Sequence, residues 1–168
     1  QLPEHCPPIV LMGYLNPVLN FGMEKFLKEC RDKNVSGVIL PDISVEIYER
    51  FYKNLFDQYG IQCIFLITID TPVERLKRIA ALSESGFVYL TSSNKTTGVS
   101  AEFQLIKEED VDPIRQIFKE VPIFIGFGIK SKKDIEAVHA VADGAIIGSA
   151  YINALKENKD LEFLQEIF

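Results

Sequence analysis

The chain has 168 residues, of which 47% are hydrophobic and 25% are charged, as in an ordinary globular protein. Its 18 Lys and Arg residues stand against 24 Asp and Glu, and the net charge of −6 argues against nucleic acid or an anionic membrane surface as the main partner. No apolar run approaches the roughly 20 residues that cross a bilayer. The three cysteines are widely spaced, so neither a disulfide framework nor a metal site is expected, and a reducing, cytoplasmic location is favoured.

Short apolar runs that do not alternate with polar residues predict the strands, because strands of a parallel sheet are covered on both faces. They are Ile9–Gly13, Gly37–Leu40, Cys63–Ile67, Phe87–Leu90, Pro122–Gly126 and Gly144–Ile147. Segments with helical spacing separate or follow them, and these are Met23–Lys33, Val45–Tyr59, Val73–Leu82, Val111–Lys119, Lys132–Val141 and Ala150–Lys156. The alternation predicts an α/β protein with a parallel sheet.

A repeat of roughly 25 residues per strand and helix fits a TIM (β/α)8 barrel, of which the chain would supply six of eight units. An open doubly wound sheet is the alternative, but it would carry a glycine-rich loop after its first strand, where this chain has Tyr14-Leu15-Asn16-Pro17. We therefore expect residues 1–168 to form a single barrel domain that is incomplete at its N-terminal side. The runs Ile9–Gly13 and Gly144–Ile147 would then each have an unpaired edge.

The longest interval between strands follows Phe87–Leu90 and begins with a polar stretch, residues 91–100. Long polar loops in compact α/β domains are usually functional. This one leaves the carboxyl end of a strand, where barrel enzymes place their active sites. We expect a lid, with an idle surface loop as the alternative.

Glycines and a serine at two neighbouring strand ends predict a phosphate site. Gly126, Phe127 and Gly128 follow the fifth strand, and Gly148 and Ser149 follow the sixth and begin a helical stretch. A helix N-terminus offers unpaired N–H groups and a partial positive charge, and loops after the last two strands of a barrel commonly bind phosphate. Gly98 in the lid is a further candidate. The alternative is turn glycines with a serine that caps the helix.

Asp42 is the carboxylate placed directly at a predicted strand end. Three roles are open for it: a general acid or base, a hydrogen-bond acceptor for a ligand N–H, or the N-cap of the helix that begins at Val45. Tyr14 and Tyr89 also end strands and are candidates for the wall of an aromatic pocket. Acid–base chemistry usually needs a second carboxylate, and none is found at a matching position.

Several motifs together resemble the tryptophan synthase alpha chain family, in the family's order and over essentially the whole chain. They are Pro8-Ile9-Val10-Leu11-Met12-Gly13-Tyr14-Leu15-Asn16-Pro17-Val18 with Phe21-Gly22, Gly37-Val38-Ile39-Leu40-Pro41-Asp42, Gly86-Phe87-Val88-Tyr89, Thr97-Gly98-Val99, Gly126-Phe127-Gly128-Ile129, and Asp143-Gly144-Ala145-Ile146-Ile147-Gly148-Ser149-Ala150.

The resemblance implies a TIM barrel lyase that cleaves indole-3-glycerol phosphate to indole and glyceraldehyde 3-phosphate by a retro-aldol reaction. It implies no cofactor of its own, because pyridoxal phosphate belongs to a partner beta chain in an α2β2 heterotetramer. Matching residue by residue implies a phosphate site, an indole pocket, a carboxylate near the indole nitrogen, a lid threonine and a partner surface. The phosphate site matches Gly98, Gly128, Gly148 and Ser149, and the indole pocket matches Met12, Tyr14, Phe127 and Ile146. The carboxylate near the indole nitrogen matches Asp42, the lid threonine matches Thr97, and the partner surface matches Asn16 and Asn20.

The family's two acid–base carboxylates precede the position that matches Gln1, so the resemblance implies strands three to eight of the barrel without that pair. Ser93-Asn94-Lys95-Thr96 replaces the family's usual Arg-x-Gly lid, and Thr68-Ile69 replaces a common Ala-Pro pair. We therefore keep a second hypothesis, a catalytically impaired subunit that binds and modulates a beta chain. A third, indole-glycerol-phosphate synthase, fits poorly because its strand-end lysines are absent.

Overall fold

The structure is a computed structural model that describes residues 7–83, 86–91, 107–126 and 128–167. Strands and helices alternate along these ranges. The strands are β1 (Ile9–Met12), β2 (Val35–Ile39), β3 (Gln62–Ile64), β4 (Leu66–Ile67), β5 (Val88–Leu90), β6 (Ile123–Ile125) and β7 (Gly144–Ala145). The helices are α1 (Leu15–Phe21), α2 (Met23–Asp32), α3 (Val45–Ile47), α4 (Lys53–Tyr59), α5 (Val73–Leu82), α6 (Glu108–Phe118), α7 (Lys132–His139), α8 (Ser149–Lys156) and α9 (Asp160–Ile167), and a π-helical turn, Tyr48–Tyr52, joins α3 to α4.

The strands pair in parallel throughout the described residues, in the orders β1-β2-β3 and β4-β5-β6-β7. The predicted strand Cys63–Ile67 is two strands, because the ladder is interrupted at Phe65. The Phe65 carbonyl still accepts a hydrogen bond from Tyr89 N–H at 3.0 Å. The chain therefore pairs with β2 before Phe65 and with β5 after it, and the prediction of a parallel α/β fold is confirmed.

The two outer strands each have one partner. Among the described residues β1 pairs only with β2, and β7 pairs only with β6. On β1, the side chains of Leu11 and Met12 are 39% and 60% exposed. Among the described residues β1 and β7 therefore do not pair with each other, as a closed six-stranded barrel would require.

Two helices differ from the sequence expectation. The segment expected to be a loop after the first strand contains α1, and α9 was not expected at all. The segment Val45–Tyr59 is helical as predicted, but a π-helical turn lies in its middle. In contrast, α5 has both of its predicted ends, and α7 begins at Lys132 as predicted. A capping box starts α7, in which Ser131 Oγ accepts from Asp134 N–H at 3.3 Å.

The helices bury one apolar face against the sheet. In α2, Met23, Leu27 and Cys30 are buried at the spacing of one helical face. On the π-helical turn, the Tyr48 ring meets the edge of Phe56 at 5.3 Å and that of Phe65 at 5.2 Å between centroids. These side chains belong to one continuous core that fixes the carboxyl ends of the strands relative to each other. Within the described ranges, no helix combines the length and the apolar character needed to cross a membrane.

Candidate functional site at the carboxyl ends of the strands

A cavity of about 470 Å³ lies at the carboxyl ends of β5, β6 and β7 and at the start of α8. Six residues singled out in the sequence line it together: Tyr89, Gly126, Gly128, Ile146, Gly148 and Ser149. They come from strand ends that are adjacent in the order β5-β6-β7. The two predicted elements of the phosphate site, the loop after β6 and the start of α8, therefore share one cavity.

The floor of the cavity depends on a close approach to Gly126. A Cβ atom at this position would lie 2.6 Å from Tyr89 Oη and 2.7 Å from Ile146 Cβ. Tyr89 Oη donates a hydrogen bond to the Gly126 carbonyl oxygen at 3.1 Å. Burial raises the pKa of Tyr89, so the hydroxyl stays protonated and keeps donating at neutral pH. The aromatic wall of the cavity is thus fixed on the backbone of the neighbouring strand.

The upper part of the cavity suits an anion. Gly128 has a φ of +67°, a left-handed conformation that glycine adopts without strain. Ser149 is the first residue of the eight-residue α8, and the N-cap residue, Gly148, has no side chain that could cap it. The first N–H groups of a helix have no partner within it and carry a partial positive charge. Together with the Ser149 hydroxyl, they give a set of donors that a phosphate group matches.

A capping box fixes the loop that follows Gly128. One carboxylate oxygen of Asp134 accepts hydrogen bonds from Lys130 N–H at 3.0 Å, from Ser131 N–H at 2.9 Å and from Ser131 Oγ at 2.8 Å. Burial acts to raise the pKa of Asp134, but these hydrogen bonds stabilise the ionised form and the net result is a lowered pKa. The ionised carboxylate therefore holds the start of α7 and the adjoining Lys130, which lines the cavity.

A second group of predicted residues lies outside this cavity, near the carboxyl ends of β1 and β2. Met12 and Tyr14 are 60% and 68% exposed, and Asn16 and Asn20 are exposed on α1. The carboxylate of Asp42 accepts from the backbone N–H of Leu15 at 2.9 and 3.1 Å. Asp42 does not cap the helix at Val45, so that alternative is wrong. Ser44 has this role, because its Oγ accepts from Ile47 N–H at 3.2 Å.

The positions Thr68 and Ile69, where the sequence departs from the family pattern, form a turn after β4. The N–H of Thr68 donates to Thr71 Oγ1 at 2.8 Å, and the two threonine hydroxyl oxygens are 3.3 Å apart. These groups satisfy one another and close the turn. Thr68 and Thr71 also line a separate cavity of about 460 Å³ beside Pro41.

Some predicted residues cannot be placed. Thr97 and Gly98, the lid segment Ser93 to Thr96, and Phe127 lie outside the described residues. The described part of the cavity adds two residues that sequence reasoning missed, Lys130 and Asn153. Asn153 follows Ser149 by four residues, and this helical spacing places both on one face of α8, which is a signal that the sequence contained.

The described lining of the main cavity contains no carboxylate and no histidine. It can bind and orient an anion with an apolar or aromatic group attached, but its described part offers no carboxylate or imidazole as a general acid or base. In the part of the chain that the structure describes, no cluster of three or more His, Cys, Asp or Glu side chains is arranged to hold a metal ion.

The sequence of this chain is similar to the sequences of one protein family. A sequence model of the family "Tryptophan synthase alpha chain" matches residues 3–166. The alpha chain of Flavobacterium psychrophilum is 40% identical over 164 residues, which are 96% of this chain and 64% of the relative. The alpha chain of Karelsulcia muelleri is 42% identical over 151 residues, 90% of this chain and 58% of the relative.

Solved structures of tryptophan synthase alpha chains are also similar to this chain. The tryptophan synthase α2β2 complex of Pyrococcus furiosus matches with a TM-score of 0.81 and 30% identity, over 98% of this chain and 67% of that chain. The alpha subunit of Campylobacter jejuni matches with a TM-score of 0.79 and 30% identity, over 98% of this chain and 66% of that chain. This likeness confirms the predicted TIM barrel architecture.

The chain thus spans about 64% of the length of the Flavobacterium relative, while nearly all of its own residues fall within the match. The family match covers all three strand ends that form the main cavity, and the similar structures share its fold. The chain belongs to the tryptophan synthase alpha chain family.

Proposed function

We propose that the protein formed with this chain is the alpha chain of tryptophan synthase, a carbon–carbon lyase. It cleaves indole-3-glycerol phosphate to indole and glyceraldehyde 3-phosphate and acts in the cytoplasm in tryptophan biosynthesis. The observation that carries the proposal is the main cavity, in which the loop at Gly128 and the start of α8 face one space. The family membership supplies the reaction.

The cavity supports a division of the substrate into two parts. The phosphate group binds to the N–H groups of the first turn of α8, to the Ser149 hydroxyl and to the backbone at Gly128. The indole ring extends towards the apolar side, where Tyr89 and Ile146 line the cavity. Met12, Tyr14 and Phe127 complete the indole pocket in this proposal, and Thr97 and Gly98 belong to the lid.

The cleavage step needs a proton donor and a base at the glycerol side chain. The described lining contains no carboxylate or imidazole for these roles, and Asp42 already accepts a hydrogen bond from Leu15. The proposal therefore assigns the acid–base pair to residues outside this chain and expects no lyase activity from the 168 residues alone. The chain binds and orients the substrate, and it does so without a cofactor of its own.

The domain organisation follows from the two open edges. In the part of the chain that the structure describes, the outer edges of β1 and β7 have no partner strand, and exposed sheet edges of this kind tend to aggregate. Two further βα units between them would complete an eight-stranded barrel. In this proposal residues 1–168 are one part of a single barrel domain.

The proposed partner is a tryptophan synthase beta chain, in an α2β2 assembly that supplies pyridoxal phosphate from the beta side. The α2β2 complex of Pyrococcus furiosus supports this assignment through its likeness to the chain. Asn16 and Asn20, exposed on α1 beyond the carboxyl end of β1, are the proposed contacts. Modulation of a beta chain without cleavage remains the second candidate, because Ser93-Asn94-Lys95-Thr96 departs from the family's lid sequence.

An indole-release assay on the full protein, with and without a beta chain, tests the proposal. Indole production by the full protein and none by the 168-residue chain is the expected result. Ser149→Ala should raise KM with a small change in kcat, and Ser36→Ala, an exposed serine of β2, is the matched control. Absence of indole release by the full protein, combined with an effect on beta-chain turnover, would favour the modulator.

A further inference from the structure

The backbone N–H of Leu15 donates to both carboxylate oxygens of Asp42, at 2.9 Å to Oδ1 and 3.1 Å to Oδ2. The two residues are 27 positions apart and belong to successive βα units. Just before Leu15, the N–H of Gly13 donates to the carbonyl of Ile39 at 3.1 Å and extends the β1–β2 ladder. The residues on either side of Tyr14 are therefore held by hydrogen bonds, Gly13 to the end of β2 and Leu15 to the loop that follows β2.

The carboxylate of Asp42 lies at the N-terminus of helix α1 and accepts a hydrogen bond there. Leu15 is its first residue, and the residue at the N-cap position, Tyr14, makes no capping hydrogen bond with its side chain. The first turn contains no acidic residue, although a negative charge stabilises this end of a helix. A side-chain acceptor at the N-cap normally satisfies one of the first N–H groups. Here Asp42 supplies that acceptor from the neighbouring strand end.

Asp42 does not cap the helix that follows it in the sequence. The helix that follows it begins at Val45 and is capped by Ser44. Its carboxylate is thus available to the preceding βα unit, and its two oxygens both face Leu15 N–H.

We infer that Asp42 is a positioning residue that caps α1 from the next βα unit and so sets the orientation of Tyr14 and of the exposed face with Asn16 and Asn20. That this face meets a beta chain rests on the proposed function. The cap itself rests on the contacts of Asp42 alone. Loss of the carboxylate should loosen α1 and weaken the partner contact, while the anion cavity at α8 is unaffected.

Hydrogen exchange of the Leu15 amide in the full protein tests the cap directly. The first N–H of a helix has no acceptor within the helix, so its protection reports the bond to Asp42. Asp42→Ala should speed exchange at Leu15 by about fivefold or more, since a helix cap is typically worth about 1 kcal/mol. Asp42→Asn keeps a neutral acceptor and should restore part of the protection. Asp112→Ala, at an exposed aspartate of α6, is the matched control and should leave Leu15 unchanged.

Two affinities then separate the positioning role from substrate contact. Asp42→Ala should weaken beta-chain binding by about fivefold and leave inorganic phosphate binding within twofold of the wild type. Unchanged exchange at Leu15 in both variants would overturn the inference. An Asp42→Ala protein with normal beta-chain affinity and weakened binding of indole would also overturn the inference. If the wild-type full protein neither releases indole nor binds a beta chain, the proposed function fails, and the Leu15 exchange still decides the cap.

Discussion

Gly126→Ala probes the tightest contact of the candidate site. The new Cβ atom would lie 2.6 Å from Tyr89 Oη, 2.7 Å from Tyr89 Cε2 and 2.7 Å from Ile146 Cβ, distances that real Cβ atoms do not show. The Tyr89 ring is held by its hydrogen bond to the Gly126 carbonyl, and Ile146 Cβ moves only with its backbone. Neither neighbour yields easily, so a shift of Tyr89 into the cavity is the expected response.

The magnitude follows from two opposing effects. Overpacking a filled site costs about 1–3 kcal/mol, and the three contacts place this site near the upper value. Replacing glycine by alanine lowers the entropy of the unfolded chain and returns about 0.4–1 kcal/mol. The net loss in the free energy of unfolding is therefore about 2 kcal/mol. With a urea m value of about 2 kcal/mol per M, the midpoint should fall by about 1 M.

Urea unfolding of the full protein, followed by circular dichroism, measures this shift. Gly13→Ala is the matched control, because a Cβ there meets no atom within 4 Å, and its midpoint should stay near that of the wild type. In a Tyr89→Ala background the penalty of Gly126→Ala should shrink, since two of its three nearest contacts are with the Tyr89 ring and hydroxyl. Equal midpoints for Gly126→Ala and Gly13→Ala would refute the close packing of the cavity floor.

Two further substitutions test single hydrogen-bonding groups. Ser83→Ala should lower the free energy of unfolding by about 1 kcal/mol, because the buried Ser83 Oγ donates to the Ile79 carbonyl at 2.8 Å. Thermal unfolding measures this loss of stability, and an unchanged Tm would contradict the hydrogen bond. Asp134→Ala should also cost about 1 kcal/mol at pH 7 through loss of the capping box. Because the pKa of Asp134 is lowered in the folded state, its contribution is complete above its unfolded pKa of about 3.9 and is lost as the pH falls through the lower folded value. Wild type and Asp134→Ala should therefore differ in stability at pH 7, and the difference should shrink as the pH falls from about 4 through the lowered folded pKa. A difference that grows on acidification would contradict this.

The strands were predictable because each is a short apolar run, and burial on both faces requires such a run in a parallel sheet. The interruption at Phe65 was not predictable from the same pattern, since the run Cys63–Ile67 is apolar throughout and only the change of partner strand divides it. Helix α1 was missed for a related reason. It has seven residues and contains Pro17. Its cap comes from Asp42, which lies 27 residues away in the sequence, so a search for a capping residue next to the helix does not find it.

The main cavity was predictable to the extent that it depends on strand ends. Gly128, Gly148 and Ser149 follow strands directly, and parallel strands bring their carboxyl ends to one side of the sheet. Lys130 and Asn153 lie further along the loop and the helix, so their place in the lining required the path of the backbone after each strand. The pairing of Asp42 with Leu15 likewise required the relative position of two βα units.

The change of strand partner at Phe65 also makes this residue the natural junction for a chimaera between two family members. A crossover there leaves both ladders, β1 to β3 and β4 to β7, each from one parent. What such a hybrid must preserve is the contact across the junction. Tyr48 packs on the Phe65 ring, and Arg78 on α5 pairs with Glu46 and Glu49 on the other side. Parents that share these residues should recombine at Phe65 with the core intact.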